Sequence, residues 1–416
     1  MTQDGGEPPD RLAERIARES YGRLLALVAT RTRDIAAAED ALAEAFAAAL
    51  SRWPATGPPA NPLGWLVQVA RNRLVDEARR GARRDRAAAD LTLIEIERLD
   101  AIQPQADRRL ALMYAAAHPS LDPLMRTALV LQVVLGMEAE RIASACLVSP
   151  TAMAQRLVRA KRKLKDSGVS FEEPEPEHRL ARLATLLDAI YAAFCEGAFG
   201  IDAVDGGGLA DEALWLGRVL VAQAPQEPEA AGLLALMLFV HARRGARREA
   251  GRYIPLSDQD PRLWDAAALR AAESLLSGAA RAGRPGRFQL EAALQSAQLA
   301  ARVEGRTDWE AIDRLYGALE RATTSPVVTL NRAVAWARAG HIAEAVTTLD
   351  RLAQTPGMAT YQPYWAAAGA ILATAGRADA ATAFDRAIGL TVDPAVRAFL
   401  LDRRAAANPP STQGVD

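Results

Sequence analysis

Cysteine and histidine are nearly absent from this chain of 416 residues, which holds two of the first and four of the second. Cys146 and Cys195 cannot build a disulfide framework or a cysteine-based zinc site. His118, His178, His241 and His341 are too scattered for metal spacing, so neither metal nor cofactor is expected. Also missing is any run of about 18 apolar residues, and the opening MTQDGGEPPD is polar and acidic. The expectation is a cytoplasmic protein with no membrane partner. No His–carboxylate, Cys–His or Ser–His pair has a usable spacing, which makes an enzyme the weakest reading; Glu196 and Asp260 read as caps or linker residues. The DGGG of residues 205–208 lacks a G-x-x-x-x-G-K-S/T continuation and reads as a linker.

What is present is helical periodicity. Alanine and leucine recur at three- and four-residue steps almost end to end, and no sustained alternation bounded by hairpin turns occurs, so the fold class is all-α. A first unit at 11–88 has helices near 11–30, 34–52 and 62–81, broken by PATGPPANP. A connector at 89–107 leads to a second helical unit at 108–168, and the proline-rich acidic FEEPEPEH reads as an interdomain linker within 169–179. A third region, 180–405, follows. In it AGHIAEAVTTLDRL and AGRADAATAFDRAI each place a glycine (Gly340, Gly376) five residues before a small alanine (Ala345, Ala381). Their 36-residue offset is close to a helix-hairpin repeat. Trp215, Trp264 and Trp309 read as packing residues.

The net charge of −1 conceals a division. The first 168 residues hold 25 basic against 21 acidic groups, leaving 25 against 30 for the rest. The cations cluster at Arg71, Arg73, Arg79, Arg80, Arg83, Arg84 and Arg86, and again from Arg156 to Lys165. Such patches set the field that a phosphate feels.

The second cluster lies in RIASACLVSPTAMAQRLVRAKRKLK, a short helix, a tight turn and a basic helix. Ser149 followed by Pro150 is an N-cap with proline at the first helical position. Met153, Leu157, Ala160 and Leu164 form the buried stripe. That turns Thr151, Gln155, Arg156, Arg159, Arg162 and Lys163 outward, the early ones towards base edges and the later cations towards phosphates. In the first unit, NPLGWLVQVARNRLVDEARRGARR carries Leu66, Val69, Ala70 and Leu74 as its apolar stripe. Trp65, Arg71, Asn72, Arg79 and Arg80 lie off it, a chemistry suited to unpaired DNA because bases stack on aromatics and asparagine reads a base edge. The acidic Glu39, Asp40 and Glu44 of AAAEDALAEAFAAALSRWP either face solvent or meet a basic partner surface.

The order A-E-D-x-x-x-E-x-F, then N-P-x-G-W-L-x-x-x-A-R-N-R-x-x-D-x-x-R-R, then T-A-M-A-Q-R-L-V-R-A-K-R-K-L resembles sigma-70-type sigma factors of the extracytoplasmic-function class. More narrowly it resembles the subgroup with a C-terminal tetratricopeptide-like extension, through IYAAFCEGAF, LSDQDPRLWD, GRFQLEAALQSAQ and SPVVTLNRAVA. The resemblance implies a region 2 domain at 11–88, a region 4 helix-turn-helix domain at 108–168 and a helical solenoid at 180–405. It implies core RNA polymerase as partner, through the β′ clamp helices and the β flap, together with promoter DNA. Asp40, Glu44 and Phe46 would face the clamp helices. Asn61, Trp65 and Asn72 would capture a flipped base of the minus-ten strand, with Arg71, Arg73, Arg79 and Arg80 on phosphates. Thr151, Gln155, Arg156, Arg159, Arg162 and Lys163 would contact the minus-thirty-five element. Ala43 stands where many relatives carry Gln, and the turn CLVS lacks the usual glycine.

The expected function is therefore promoter recognition, DNA melting and transcription initiation, with the C-terminal helical region regulating activity through an intramolecular or protein partner. The rival is a helix-turn-helix regulator with a C-terminal sensor that acts without core polymerase. It explains residues 141–165 and gives no role to the Asn61–Arg80 constellation.

Overall fold

In the computed structural model the structure describes residues 8–82, 108–145, 148–172, 174–199 and 208–407. Arg83, Arg84, Arg86, the connector 89–107, Cys146 and residues 205–207 lie outside them. The described residues form eighteen α-helices and one two-residue-per-strand hairpin, an all-α protein. Helices α1 (Pro9–Thr32), α2 (Ile35–Thr56), α3 (Pro62–Ala82), α4 (Arg109–Ala116), α5 (Pro123–Val133), α6 (Ala139–Ala145), α7 (Pro150–Asp166) and α8 (Pro176–Phe199) belong to a first compact unit, 1–216. Helix α9 (Gly208–Gln223) runs across that unit's end into a second, 217–416.

The termini of these helices follow local chemistry. Asp34 accepts from the Ala37 N–H at 3.1 Å to cap α2, and Asp122 accepts from the Leu124 N–H ahead of Pro123 in α5. Ser149 accepts from the Ala152 N–H at 3.3 Å and Pro150 occupies the first position of α7, as its sequence predicts. Helix α2 runs four residues past its expected end. Pro54 lies in its last turn, where it forfeits a single N–H bond, and the Thr56 hydroxyl donates back to the Arg52 carbonyl at 3.0 Å.

Helices α1, α2 and α3 pack on one another over Leu25, Leu42, Ala45, Trp53, Leu66 and Ala70, all fully buried. Helix α1 also packs against α4 and α5, and α2 against α7. The α1–α5 approach is close. A Cβ on Gly22 would lie 1.9 Å from the Val134 carbonyl oxygen, so no side chain fits there. Helices α6 and α7 pair as a helix-turn-helix over α5, and α8 lies across α4 and α5, with the Arg182 guanidinium donating to the Tyr114 carbonyl. Arg109 lies 3.9 Å from the centroid of Trp215 on α9 and pairs with Glu212.

The second unit continues with α10 (Pro228–His241), the hairpin β1 (Arg248–Glu249) with β2 (Arg252–Tyr253), and α11 (Ala266–Ala280). Then follow α12 (Arg287–Glu304), α13 (Trp309–Ala322), α14 (Pro326–Ala339), α15 (Ile342–Leu352), α16 (Gln362–Thr374), α17 (Ala380–Leu390) and α18 (Pro394–Ala407). Most of these helices pack on their sequence neighbours, which is how stacked helix hairpins bury their apolar faces, while α12 packs chiefly on α10. Gly340 and Gly376 both adopt left-handed backbone between helices, at φ 95° and 67°. The repeat is offset by one residue at its small position: Ala345 is fully buried in α15, whereas in α17 it is Ala380 rather than Ala381. Trp264 is buried and Trp309 packs against the Leu290–Tyr316 core.

Candidate nucleic-acid interface

On α7 the apolar stripe lies inward as its spacing requires, with Met153, Leu157, Ala160 and Leu164 at most 5% exposed. Burying side chains of this size contributes roughly 1.5–3 kcal/mol each for the larger ones, which fixes the rotation of the helix. Thr151, Gln155, Arg159, Arg162 and Lys163 are consequently exposed, while Arg156 is half-buried. Arg156, Arg159 and Lys163 rim a groove of about 460 Å³ floored by Leu121, Leu124 and Met125. The Arg159 Nε donates to the Gln155 carbonyl, and Arg162 lies 3.6 Å from Asp166 one turn on.

The second face is built on α3. Asn61 caps it: its Oδ1 accepts from the Gly64 N–H at 3.0 Å, and a Cβ at Gly64 would strike the Asn61 amide nitrogen. The cap engages the carbonyl oxygen of Asn61, and the residue as a whole is exposed. Trp65, one turn in, is half-buried and meets Trp53 edge to face at 5.5 Å and 61°. The Trp53 indole N–H is buried and has no hydrogen-bond partner among the described residues. Asn72, exposed, accepts from the Gln68 amide at 3.1 Å. Arg79 and Arg80 are exposed, the latter donating to the Asp76 carbonyl, and Arg71 is half-buried.

On α2, Asp40 and Glu44 are exposed and Phe46 is half-buried. Glu44 pairs with Arg73 of α3 at 2.6 Å, which joins the acidic flank of one helix to the cationic flank of the next. Both partners keep 41–50% of their surface, so the pair is worth little on its own. Glu39 meets a basic surface of this same chain. Lys161 of α7 donates to both of its carboxylate oxygens, at 2.6 and 2.7 Å, and Lys165 reaches Asp34 at 2.6 Å. Beneath that acidic face the Tyr21 phenol is pushed up to about 12, first by burial and then by Glu39 and Asp40.

Two residues escaped the sequence reading. Lys161 sits four residues past Leu157 and three before Leu164, a cation on the apolar stripe, which signals a buried ion pair. Trp53 continues the buried Leu42, Ala45, Ala49 spacing of α2 and so reads as core until its contact with Trp65 is seen. Among the described residues no group of three or more His, Cys, Asp or Glu could hold a metal, and no helix is long and apolar enough to cross a membrane.

Residues 16–84 match the model of sigma-70 region 2 and residues 111–164 that of sigma-70 region 4. Residues 182–280 match a family of unknown function, DUF6596. An uncharacterized protein of Rhizobium meliloti (strain 1021) is 39% identical over 389 residues, 90% of this chain and 91% of that one. No solved structure matches. The chain belongs to the sigma-70 family of RNA polymerase sigma factors, whose regions 2 and 4 bind core polymerase and promoter DNA.

Proposed function

We propose that this sigma factor is of the extracytoplasmic-function class, reads the minus-ten element with α3 and the minus-thirty-five element with α7, and acts in the cytoplasm. The observation that carries the reading is the pair of cationic faces. The buried stripe of α7 brings Thr151, Gln155, Arg159, Arg162 and Lys163 to the surface together, and α3 separately carries the half-buried Trp65, with exposed Asn61 ahead of it and exposed Asn72 two turns on. Arg156, which lines the groove together with Leu121, Asp122, Leu124 and Met125, would reach a guanine edge, and Leu124 would receive a thymine methyl.

On α3 an extruded base would stack on Trp65, with Asn61 and Asn72 at its edge and Arg71, Arg73, Arg79 and Arg80 on the strand's phosphates. Stacking on an aromatic is worth about 1–3 kcal/mol per base, comparable to the few kcal/mol that unstacking costs, so one or two captured bases offset the opening. Asp40, Glu44 and Phe46 are the residues for the β′ clamp helices, and the region 4 unit is the part for the β flap. The helices beyond α8, a stacked array in a region of acidic excess, regulate activity through an intramolecular or protein partner.

Permanganate probing of promoter DNA tests this. Unpaired thymines near the minus-ten element are expected with the factor plus core polymerase, absent with either alone, and lost with Trp65→Ala. Footprints on duplex DNA that need no core polymerase would favour the helix-turn-helix regulator instead.

A further inference from the structure

Arg248 and Arg252 of the small hairpin find their carboxylates 145 and 150 residues further along the chain, in Asp393 ahead of α18 and Asp402 within it. Between these pairs Tyr253 meets Phe399 of α18 edge to face, at 5.4 Å and 72°. The last helix of the second unit thus lies against the hairpin that follows α10, near that unit's beginning. A linear stack has two independent ends, because each repeat touches only its neighbours. Here each end holds the other.

We propose that the hairpin is a strap clasping α18, so that the two ends of the array open and close as one, and that regulation through the array acts on this joint. The second part rests on the reading of the helices beyond α8 as regulatory.

The argument is that neither partner is secure alone. The strands of the hairpin are two residues each and exposed, with one further bond from the Ile254 N–H to the Arg247 carbonyl at 2.8 Å, and an isolated two-stranded hairpin is marginal in water. Its tip, Ala250–Gly251, has left-handed backbone at both residues, φ 47° and 78°. Such a turn favours Asn-Gly, and alanine is sterically disfavoured in it. Helix α18 for its part buries Ala395 and Leu400, where α17 buries Ala380, Ala383, Phe384 and Ala387.

The contacts between them suit release. Asp393 accepts from the Ala395 N–H at 2.8 Å as well as from Arg248, so the strap grips the residue that starts α18. Arg252 and Asp402 keep 73% and 66% of their surface, so salt or a competing charged partner weakens that pair. A partner that draws off either element loosens the other, because coupling of this kind is reciprocal.

The test is hydrogen–deuterium exchange in the full-length chain, followed over α18, over 248–254 and over α13 as the reference. Tyr253→Ala should speed exchange of α18 at least about threefold, the aromatic pair and its burial being lost. Asp402→Arg should speed it about two- to fivefold, although a cation near the end of α18 favours the helix itself. Glu249 faces Arg252 across the hairpin, so the triple reversal Glu249→Arg, Arg252→Glu, Asp402→Arg keeps both pairs and should restore the wild-type rate, which a mere folding defect would not do. Ala250→Asn should slow exchange of α18 about threefold by relieving the tip. Leu400→Ala, at the other end of the joint, should speed exchange of 252–254. In every case α13 should stay unchanged. In transcription with core polymerase, Asp402→Arg and Ala250→Asn should move output in opposite directions, each at least about twofold.

Exchange of α18 unmoved by Tyr253→Ala and Asp402→Arg, or no recovery in the triple reversal, would overturn the clasp. Exchange that responds while output stays the same would overturn its regulatory role. Failure of every variant and of the wild type to initiate with core polymerase would instead overturn the sigma reading behind that role.

Discussion

Trp65 stands edge-on to Trp53, ring centroids 5.5 Å apart, so the half-buried indole that we propose stacks on a base is held by one that is fully buried. Edge-to-face aromatic pairs are worth about 0.5–1.5 kcal/mol beyond their burial. Trp65→Ala should therefore cost open-complex formation about 1–3 kcal/mol, a 5- to 150-fold loss, with minus-thirty-five binding retained. Trp65→Phe should recover most of it. Fluorescence of a base analogue placed at the captured position measures the step directly.

Arg156 and Lys163 line the same groove and should behave differently. A bidentate arginine contact to a base edge discriminates by about 1–3 kcal/mol, so Arg156→Ala should flatten preference at one base pair. Lys163→Ala should weaken all promoters alike and reduce the salt slope by about one. Transcription from a library of minus-thirty-five variants separates the two, and identical profiles for both variants would contradict the assignment.

Truncation after Gly168 should fail for a reason of packing. Helix α8 lies against α4 and α5, and its Leu186, Ile190 and Phe194 are fully buried. Their loss exposes the facing core, at roughly 1.5–3 kcal/mol for each large side chain, several kcal/mol together. A chain ending at Gly168 is expected to melt well below one ending after Gln223. Comparing the two by thermal unfolding shows whether regulation by the C-terminal helices can be studied by simple deletion.

His118 gives the first unit a dependence on acid. Burial first, then Arg182 and Arg126, hold its imidazole below the ordinary 6.5, while its ring nitrogen and the Ser120 hydroxyl are 2.9 Å apart. The unfolded chain thus binds a proton near pH 6.5 that the folded chain does not. This stability contribution is complete above that pH and falls as pH drops below it, towards the lowered folded value. His118→Gln should flatten the decline, as read from urea midpoints across pH 5–8.

The helices of both DNA-facing units were legible because each is amphipathic and capped by its own residues. Ser149–Pro150 and the 153, 157, 160, 164 stripe set the start and rotation of α7 with no help from elsewhere. Asn61 was visible as a polar residue beside a tryptophan, but its capping of Gly64 depends on backbone geometry. Lys161–Glu39 was out of reach because nothing local links residues 122 apart; only tertiary packing does. The small hairpin at 248–253 has strands of two residues, too short for any alternation to register, and is held instead by Arg248–Asp393 and by Tyr253 on Phe399.

Run-off transcription from a promoter library, with the purified full-length chain and core RNA polymerase, is the most direct test of the central claim. Initiation at defined start sites that needs both components, and that falls with Trp65→Ala and shifts its sequence preference with Arg156→Ala, is the predicted result. Core polymerase that initiates no differently with the chain than without it would contradict the account.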